Sequence, residues 1–273
     1  FSSKGQFKDS SFANTVIRSR KRLTYKQSLA LLNNADHDQL MRIPTPPAHQ
    51  TGSPGRPLSD LTKGEINNLQ SSLQSLWAIA GCLRSRRTTK GSLELDSTEV
   101  KLIVDKKGFT ERIEKVQNDE SHQLIEEFML AANESVAKQI GVSKIPLIYR
   151  VHDQPEMDRL AELREYLLDF EIRVGDLTHR KEMVKLLRLI KTHPLNSLLR
   201  IEVLRSMKPA SYRNRRDSHY GLNKTYYTHF TSPIRRYSDL IMHRVLDRYL
   251  YSENADTAPV RKIKHYQTSV LSS

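Results

Sequence analysis

The chain has one cysteine, Cys82, so an internal disulfide is excluded and a reduced, cytoplasmic setting is the expectation. No apolar run approaches the roughly 20 residues that a membrane-spanning helix needs, so no transmembrane helix is expected. The opening FSSKGQFKDS lacks the apolar stretch of a signal peptide. Also missing are a CxxC pair, an HExxH pair, a GxSxG elbow and a GxxxxGKS/T loop, which removes the zinc, serine-hydrolase and P-loop chemistries those motifs carry. Acidic residues do not cluster: Asp36/Asp38 and Asp119-Glu120 are isolated pairs in polar surroundings. Hard divalent cations take several oxygen ligands at one place, so no metal ligands are assigned.

Positive charge is in excess. Lys and Arg number 44 against 31 Asp and Glu, a net charge of +13 over 273 residues. Such a balance points to a polyanion such as RNA, DNA or an acidic membrane, although a solvated basic surface has the same composition.

Apolar spacing sets the expected elements. Phe7, Phe12, Val16 and Ile17 suggest a strand over 6–18, followed by a helix from Tyr25 to about Asn33. Residues 34–62, with Pro44, Pro46, Pro47, Pro54 and Pro57 among Gly52, Ser53 and Gly55, read as a surface loop. A long helix carries Ile66, Leu69, Leu73, Leu76, Trp77, Ala80 and Leu83 at helical period and ends in Arg84, Arg86, Arg87 and Lys90, where cations suit the helix dipole. Residues 92–116 read as a meander or hairpin turning at Lys107-Gly108. A strong helix over 119–140 presents Leu124, Ile125, Phe128, Met129, Ala132, Val136 and Ile140, and a short strand follows at 146–150. Helices are expected over 155–169, 178–191, 195–206, 233–251 and 258–271, with an extended piece at 207–213. The class is α+β with a helix-dominated C-terminal half.

Three constellations carry candidate chemistry. Ser232 and Pro233 read as the cap and first residue of a helix. The first turn of that helix holds Arg235 and Arg236 where acidic residues would suit the positive helix end. Either an anion such as phosphate sits there, or the arginines pair with a carboxylate such as Asp239. Arg235, Asp239 and His243 would share one face by their spacing. On the helix over 119–140, His122, Glu126 and Asn133 form a polar stripe among apolar neighbours; Glu126 is either a mate for an arginine at the site or an ordinary exposed acid. From Lys208 to His229, bases alternate with rings: Tyr212, Arg213, Arg215, Arg216, His219, Tyr220, Lys224, Tyr226, Tyr227 and His229. Single-stranded nucleic-acid grooves use that combination, and so does a tyrosine-rich loop packed on a core. Tyr25 after Arg20-Lys21-Arg22 repeats it.

Together these segments resemble the catalytic domain of the ribonuclease R / ribonuclease II (RNB) exoribonucleases, collinearly over essentially the whole chain. The resemblance rests on Ser2–Gly5 with Ser19–Tyr25, Arg87–Leu102, Asn118–Asn133, Ile145–Pro155, Met207–Tyr212 and, most specifically, HYGLNKTYYTHFTSPIRRYSDLIMHR from His219 to Arg244. It implies a mixed β-sheet or barrel core flanked by helices. It implies processive 3′→5′ hydrolysis of single-stranded RNA to nucleoside 5′-monophosphates with a divalent metal, Mg2+, by a monomer. Arg235 resembles the arginine that engages phosphate near the scissile bond, Glu126 the helix glutamate that supports the site, and Tyr25 an RNA-contacting tyrosine. Tyr227, His229, Ser232, Arg236 and Arg244 fall within the signature and are taken as RNA-binding.

The family's metal-binding aspartates precede the segment matched here, and its RNA-binding barrel follows it. The 273 residues alone are therefore expected to show no metal-dependent nuclease activity; because they begin inside a strand pattern they are expected to fold poorly alone, and in the parent protein the loop at 44–57 is the expected first site of proteolysis. The competing expectation is a non-catalytic RNA-binding module of the same fold.

Overall fold

A computed structural model describes residues 1–2, 6–17, 21–43, 57–95, 100–105, 108–115, 118–143 and 145–253. Most of the proline-rich loop, the helix expected at 258–271, and residues 3–5, 18–20 and Lys107 lie outside them. The chain divides into two compact units: residues 1–9, 15–86 and 96–128 form the first; 10–14, 87–95 and 129–273 the second.

In the first unit, helix α1 (Tyr25–Leu32) starts at a capping box in which Thr24 and Gln27 satisfy each other's backbone N–H, and α2 (His37–Met41) repeats the device with Asp36 and Gln39. The long helix α3 (Lys63–Thr89) uses Thr62 and Glu65 in the same way. Leu31, Leu40, Leu58, Leu61 and Ile66 form the buried cluster of this unit. The hairpin pairs β1 (Val100–Val104) antiparallel with β2 (Thr110–Lys115), matching Leu102 to Ile113. Gly108, at φ +86°, turns it, as a residue without Cβ can.

Helix α4 (Glu120–Val142) begins in the first unit and ends in the second. The second unit continues with β3 (Tyr149–Val151), α5 (Met157–Leu168), α6 (Arg180–Lys191), α7 (Asn196–Ser206), β4 (Ser211–Arg213) and α8 (Tyr237–Glu253). One core joins α5, α6 and α7 through Leu160, Leu163, Leu167, Met183, Leu186, Ile190, Leu199 and Val203. Another joins the end of α4, β3 and α8 through Val136, Ala137, Ile140, Val151, Met242, Leu246 and Tyr249. β3 and β4 pair antiparallel, with Arg150 opposite Tyr212.

The α+β class and its helical second half match the sequence reading, with three corrections. Among the described residues the sheets are two pairs of strands, not a barrel. Residues 6–17 form no strand: no described segment takes up their backbone groups as a ladder, and Val16 and Ile17 are 102% and 85% exposed. Finally, α8 starts at Tyr237 rather than Pro233. Backbone N–H groups of Arg235 and Arg236 both turn back to the Ser232 carbonyl, at 3.3 and 3.1 Å, and close a tight turn ahead of the helix. Arg235 thus shares no helix face with Asp239 and His243, and the core face of α8 is Met242, Leu246 and Tyr249, while Ile234 is 102% exposed.

Candidate nucleic-acid interface

In the second unit, β3 aligns the site. Its Arg150 N–H donates to the Tyr227 carbonyl at 2.9 Å, and the Thr228 hydroxyl donates to the Ile148 carbonyl at 2.5 Å. The signature segment is thereby laid against β3, while β4 flanks β3 through its own ladder. Asn133 on α4 ties the segment from behind: its amide donates to the Tyr227 hydroxyl at 3.2 Å and its carbonyl accepts the Phe230 N–H at 3.0 Å. The polar stripe read in the sequence therefore contains a buried asparagine, 3% exposed, whose amide nitrogen and oxygen are both hydrogen-bonded.

These attachments bring His229 to Tyr212, whose hydroxyl lies 2.7 Å from His229 Nδ1. Across the strand pair, the Arg150 guanidinium lies over the Tyr212 ring, 4.7 Å from its centroid. Tyr227 is 6% exposed, set edge-on between His219 and His229 with centroids at 5.3 and 5.9 Å. It supports the site from within, and the exposed ring is that of Tyr212, at 44%. Burial, helped by the charges of Arg236 and Arg150, depresses the His229 pKa to about 4, so the ring is neutral near pH 7. His219 is lowered to about 3 by burial and by His152; its Nδ1 accepts the Leu222 N–H at 3.2 Å, which requires an unprotonated nitrogen there.

The turn at Ser232–Arg236 is held by one carboxylate. Asp239 is completely buried and its Oδ1 accepts the Ser232 N–H at 2.8 Å and the Arg236 Nη2 at 2.7 Å. Of the two alternatives left open by the sequence, pairing with Asp239 is met by one arginine only. Arg236 is the arginine paired with Asp239; Arg235 is exposed and has no ion-pair partner among the described residues. Ser232 contributes through its backbone. The buried Arg236 Nε is without a hydrogen-bond partner among the described residues. His243 turns to the Phe230 carbonyl, 2.9 Å from its Nε2, and stacks on the Phe230 ring at 4.0 Å. Arg244 is exposed farther along α8 and lines a hollow of about 530 Å3 with Phe12, Asn14, His243 and Asp247.

Two of the sequence candidates belong to the first unit. Tyr25, 48% exposed, stacks on His122 with centroids 3.9 Å apart and planes 15° apart. Asp119 fixes His122 through a 2.8 Å contact to Nδ1. Burial would raise the Asp119 carboxyl pKa, but hydrogen bonds from Ser121 and His122 outweigh it and hold it below the usual range. Glu126 is half-buried one position before Glu127, which is 3% exposed and is the more deeply placed acid of the pair. Sequence reasoning missed Glu127 and Arg150. Arg150 was identifiable only from strand register, which brings it opposite Tyr212. Among the described residues no group of three or more His, Cys, Asp or Glu could hold a metal ion, so the residues present do not fit a two-metal centre.

Comparison with known proteins bears on the whole chain. The RNB domain matches residues 1–252. Ribonuclease R of Thermotoga maritima is 41% identical over 175 residues, covering 63% of this chain and 25% of that protein. Ribonuclease R of Aquifex aeolicus is 31% identical over 258 residues, covering 94% of this chain and 33% of that protein. Mycoplasma genitalium RNase R, solved in complex with ribose methylated single-stranded RNA, superposes with a TM-score of 0.77 at 27% identity, over 92% of this chain and 36% of that one. The chain spans about a quarter to a third of the length of these relatives. With the signature segment folded around the Ser232–Arg236 turn and the domain matched from end to end of the described fold, this chain belongs to the RNB domain family.

Proposed function

We propose that the protein carrying this domain is a 3′→5′ exoribonuclease that hydrolyses single-stranded RNA to nucleoside 5′-monophosphates. The observation that carries the reading is Arg235: an exposed guanidinium with no ion-pair partner among the described residues, on a turn anchored by a buried carboxylate. A planar fork held in place and not neutralised suits a phosphate, whose oxygens it can bridge. Membership of the RNB family and likeness to RNase R supply the reaction class. In this reading Arg235 stabilises charge on the scissile phosphate, and Glu126 supports the site. His229 and Arg236 meet RNA at the turn, which Arg236 and the Ser232 backbone also help to hold, Arg244 meets it farther along α8, and Tyr25 meets it in the first unit. Tyr227 acts through His229. Mg2+ is the metal we assign to the parent protein, with ligands outside the described residues. The protein works as a cytoplasmic monomer, away from membranes.

The test uses the full-length protein with Mg2+ and a 5′-labelled single-stranded RNA. Stepwise shortening from the 3′ end, release of nucleoside 5′-monophosphates and arrest by a chelator are expected. Tight binding with no shortening would instead make it a non-catalytic RNA-binding protein.

A further inference from the structure

Three arginines act on His229, and the local charge is not balanced. Arg236 is the nearest in effect, then Arg150, and Arg235 adds to them, while Asp239 opposes. Asp239 is already taken up by Arg236 and the Ser232 N–H. Neither Arg150 nor Arg235 has an ion-pair partner among the described residues. A protein that gathers cations without counter-charge around a neutral ring has left room for an anion.

The ring itself is half committed. His229 Nδ1 is occupied by the Tyr212 hydroxyl at 2.7 Å, while Nε2 has no hydrogen-bond partner among the described residues. A phenol O–H is the stronger donor of the two groups and a neutral imidazole nitrogen a good acceptor, so the bond runs from Tyr212 to Nδ1. The proton of a neutral imidazole then lies on Nε2, because the hydrogen bond at one nitrogen sets the state of the other. Tyr212 in turn is steadied by the Arg150 guanidinium over its ring and by its place in the β3–β4 pair.

We propose that Tyr212 is a positioning residue for RNA: it fixes His229 as the Nε2–H tautomer, and that N–H donates to a phosphate oxygen of the RNA backbone, with Arg150 as the third member of the contact. The inference rests on the proposed RNA-binding function and names a contact of that site. Neutrality matters to it. A donor without net charge gives geometry to a phosphate contact, while the flanking arginines give attraction.

A double-mutant cycle on the full-length protein tests it, with affinity for a short single-stranded RNA measured in EDTA so that no cleavage intervenes. Tyr212→Phe keeps the ring over Arg150 and removes only the hydroxyl. It should weaken binding roughly 5-fold, the loss of about one hydrogen bond, without changing the salt slope, since no charge is lost. His229→Gln offers an amide N–H near the position of Nε2 and needs no tautomer. In that background, adding Tyr212→Phe should change affinity little, whereas a merely structural hydroxyl would matter equally in both backgrounds. Nitrogen-15 spectra of the free protein should show Nε2–H at His229 in the parent and a tautomer mixture in Tyr212→Phe. A His229 that carries its proton on Nδ1, or an unchanged affinity in Tyr212→Phe, overturns the proposal while leaving the exoribonuclease reading intact. Failure of the unsubstituted protein to bind RNA overturns both.

Discussion

Asp239 and Arg236 form a closed pair, Oδ1 to Nη2 at 2.7 Å, in which the carboxylate is wholly buried and the guanidinium side chain 23% exposed. The same carboxylate oxygen accepts the Ser232 N–H, so one acid sets both ends of the turn. Removing it leaves a half-buried arginine and a backbone donor without this acceptor. Asp239→Ala should therefore lower stability by roughly 3 kcal/mol, read from urea denaturation of the full-length protein. Asp239→Asn, which retains an acceptor oxygen, should cost less. An unchanged urea midpoint in the alanine variant would contradict this account of the turn.

Much of this arrangement was legible in the sequence, and the part that was not has an identifiable cause. Periodicity located α1, α3, α4 and the four helices after it, because each repeats apolar residues at helical spacing and most of them seat those residues in one of the buried clusters. Capping logic failed at Ser232 because it weighs only local chemistry. Ser-Pro is a sound helix start, but a carboxylate seven residues on captures the Ser232 N–H and the turn closes before the helix begins. The 6–17 strand failed for a similar reason: strand propensity reports fit to a sheet, and no described segment pairs with it. At the site, the signature arginines were visible, but which of them is paired depended on a side-chain contact. Arg150 depended on register.

The neutral histidines make stability depend on pH. His219 and His229 are lowered to about 3 and about 4 from an ordinary 6.5, chiefly by burial. Between those values and 6.5 the unfolded chain binds more protons than the folded one. Stability is therefore complete above about pH 6.5 and falls as the pH drops toward 4, and for His219 on toward 3. The slope reaches about 1.4 kcal/mol per pH unit for each ring. Asp153, held low by its hydrogen bonds to Arg213, contributes only in a more acidic window. Urea midpoints taken from pH 7 to pH 4.5 should decline, and less so in His229→Gln. A flat profile would mean that these rings protonate without cost in the fold.

Tyr25 offers a prediction within the first unit. Its ring is stacked on His122 yet still 48% exposed, and His122 is held by Asp119. If an RNA base stacks there, Tyr25→Ala should reduce affinity for single-stranded RNA by roughly 1–3 kcal/mol, while Tyr25→Phe should bind almost normally. Equal loss in both variants would assign the effect to the hydroxyl and remove stacking as the explanation.

The sharpest prediction concerns Arg235 against its neighbour. RNA is held along many phosphates and stacked bases, so one exposed arginine should add little to affinity. If Arg235 instead meets charge that builds at the scissile phosphate, its loss falls on the chemical step. Arg235→Ala should reduce single-turnover cleavage roughly 100-fold or more, on the order of 3 kcal/mol, with the dissociation constant nearly unchanged. Arg235→Lys keeps the charge but not the bidentate fork, and should also be strongly impaired. Arg236 is no simple control, because it is the partner of buried Asp239. Arg236→Ala should first lower stability, and the stability loss identifies it as a holder of the turn. The two variants should thus separate: rate without stability for Arg235, stability with rate for Arg236. If Arg235→Ala loses affinity and rate in equal proportion, Arg235 is a backbone anchor. If it loses neither, the exposed guanidinium has no part in the reaction, and the anion reading of this turn fails.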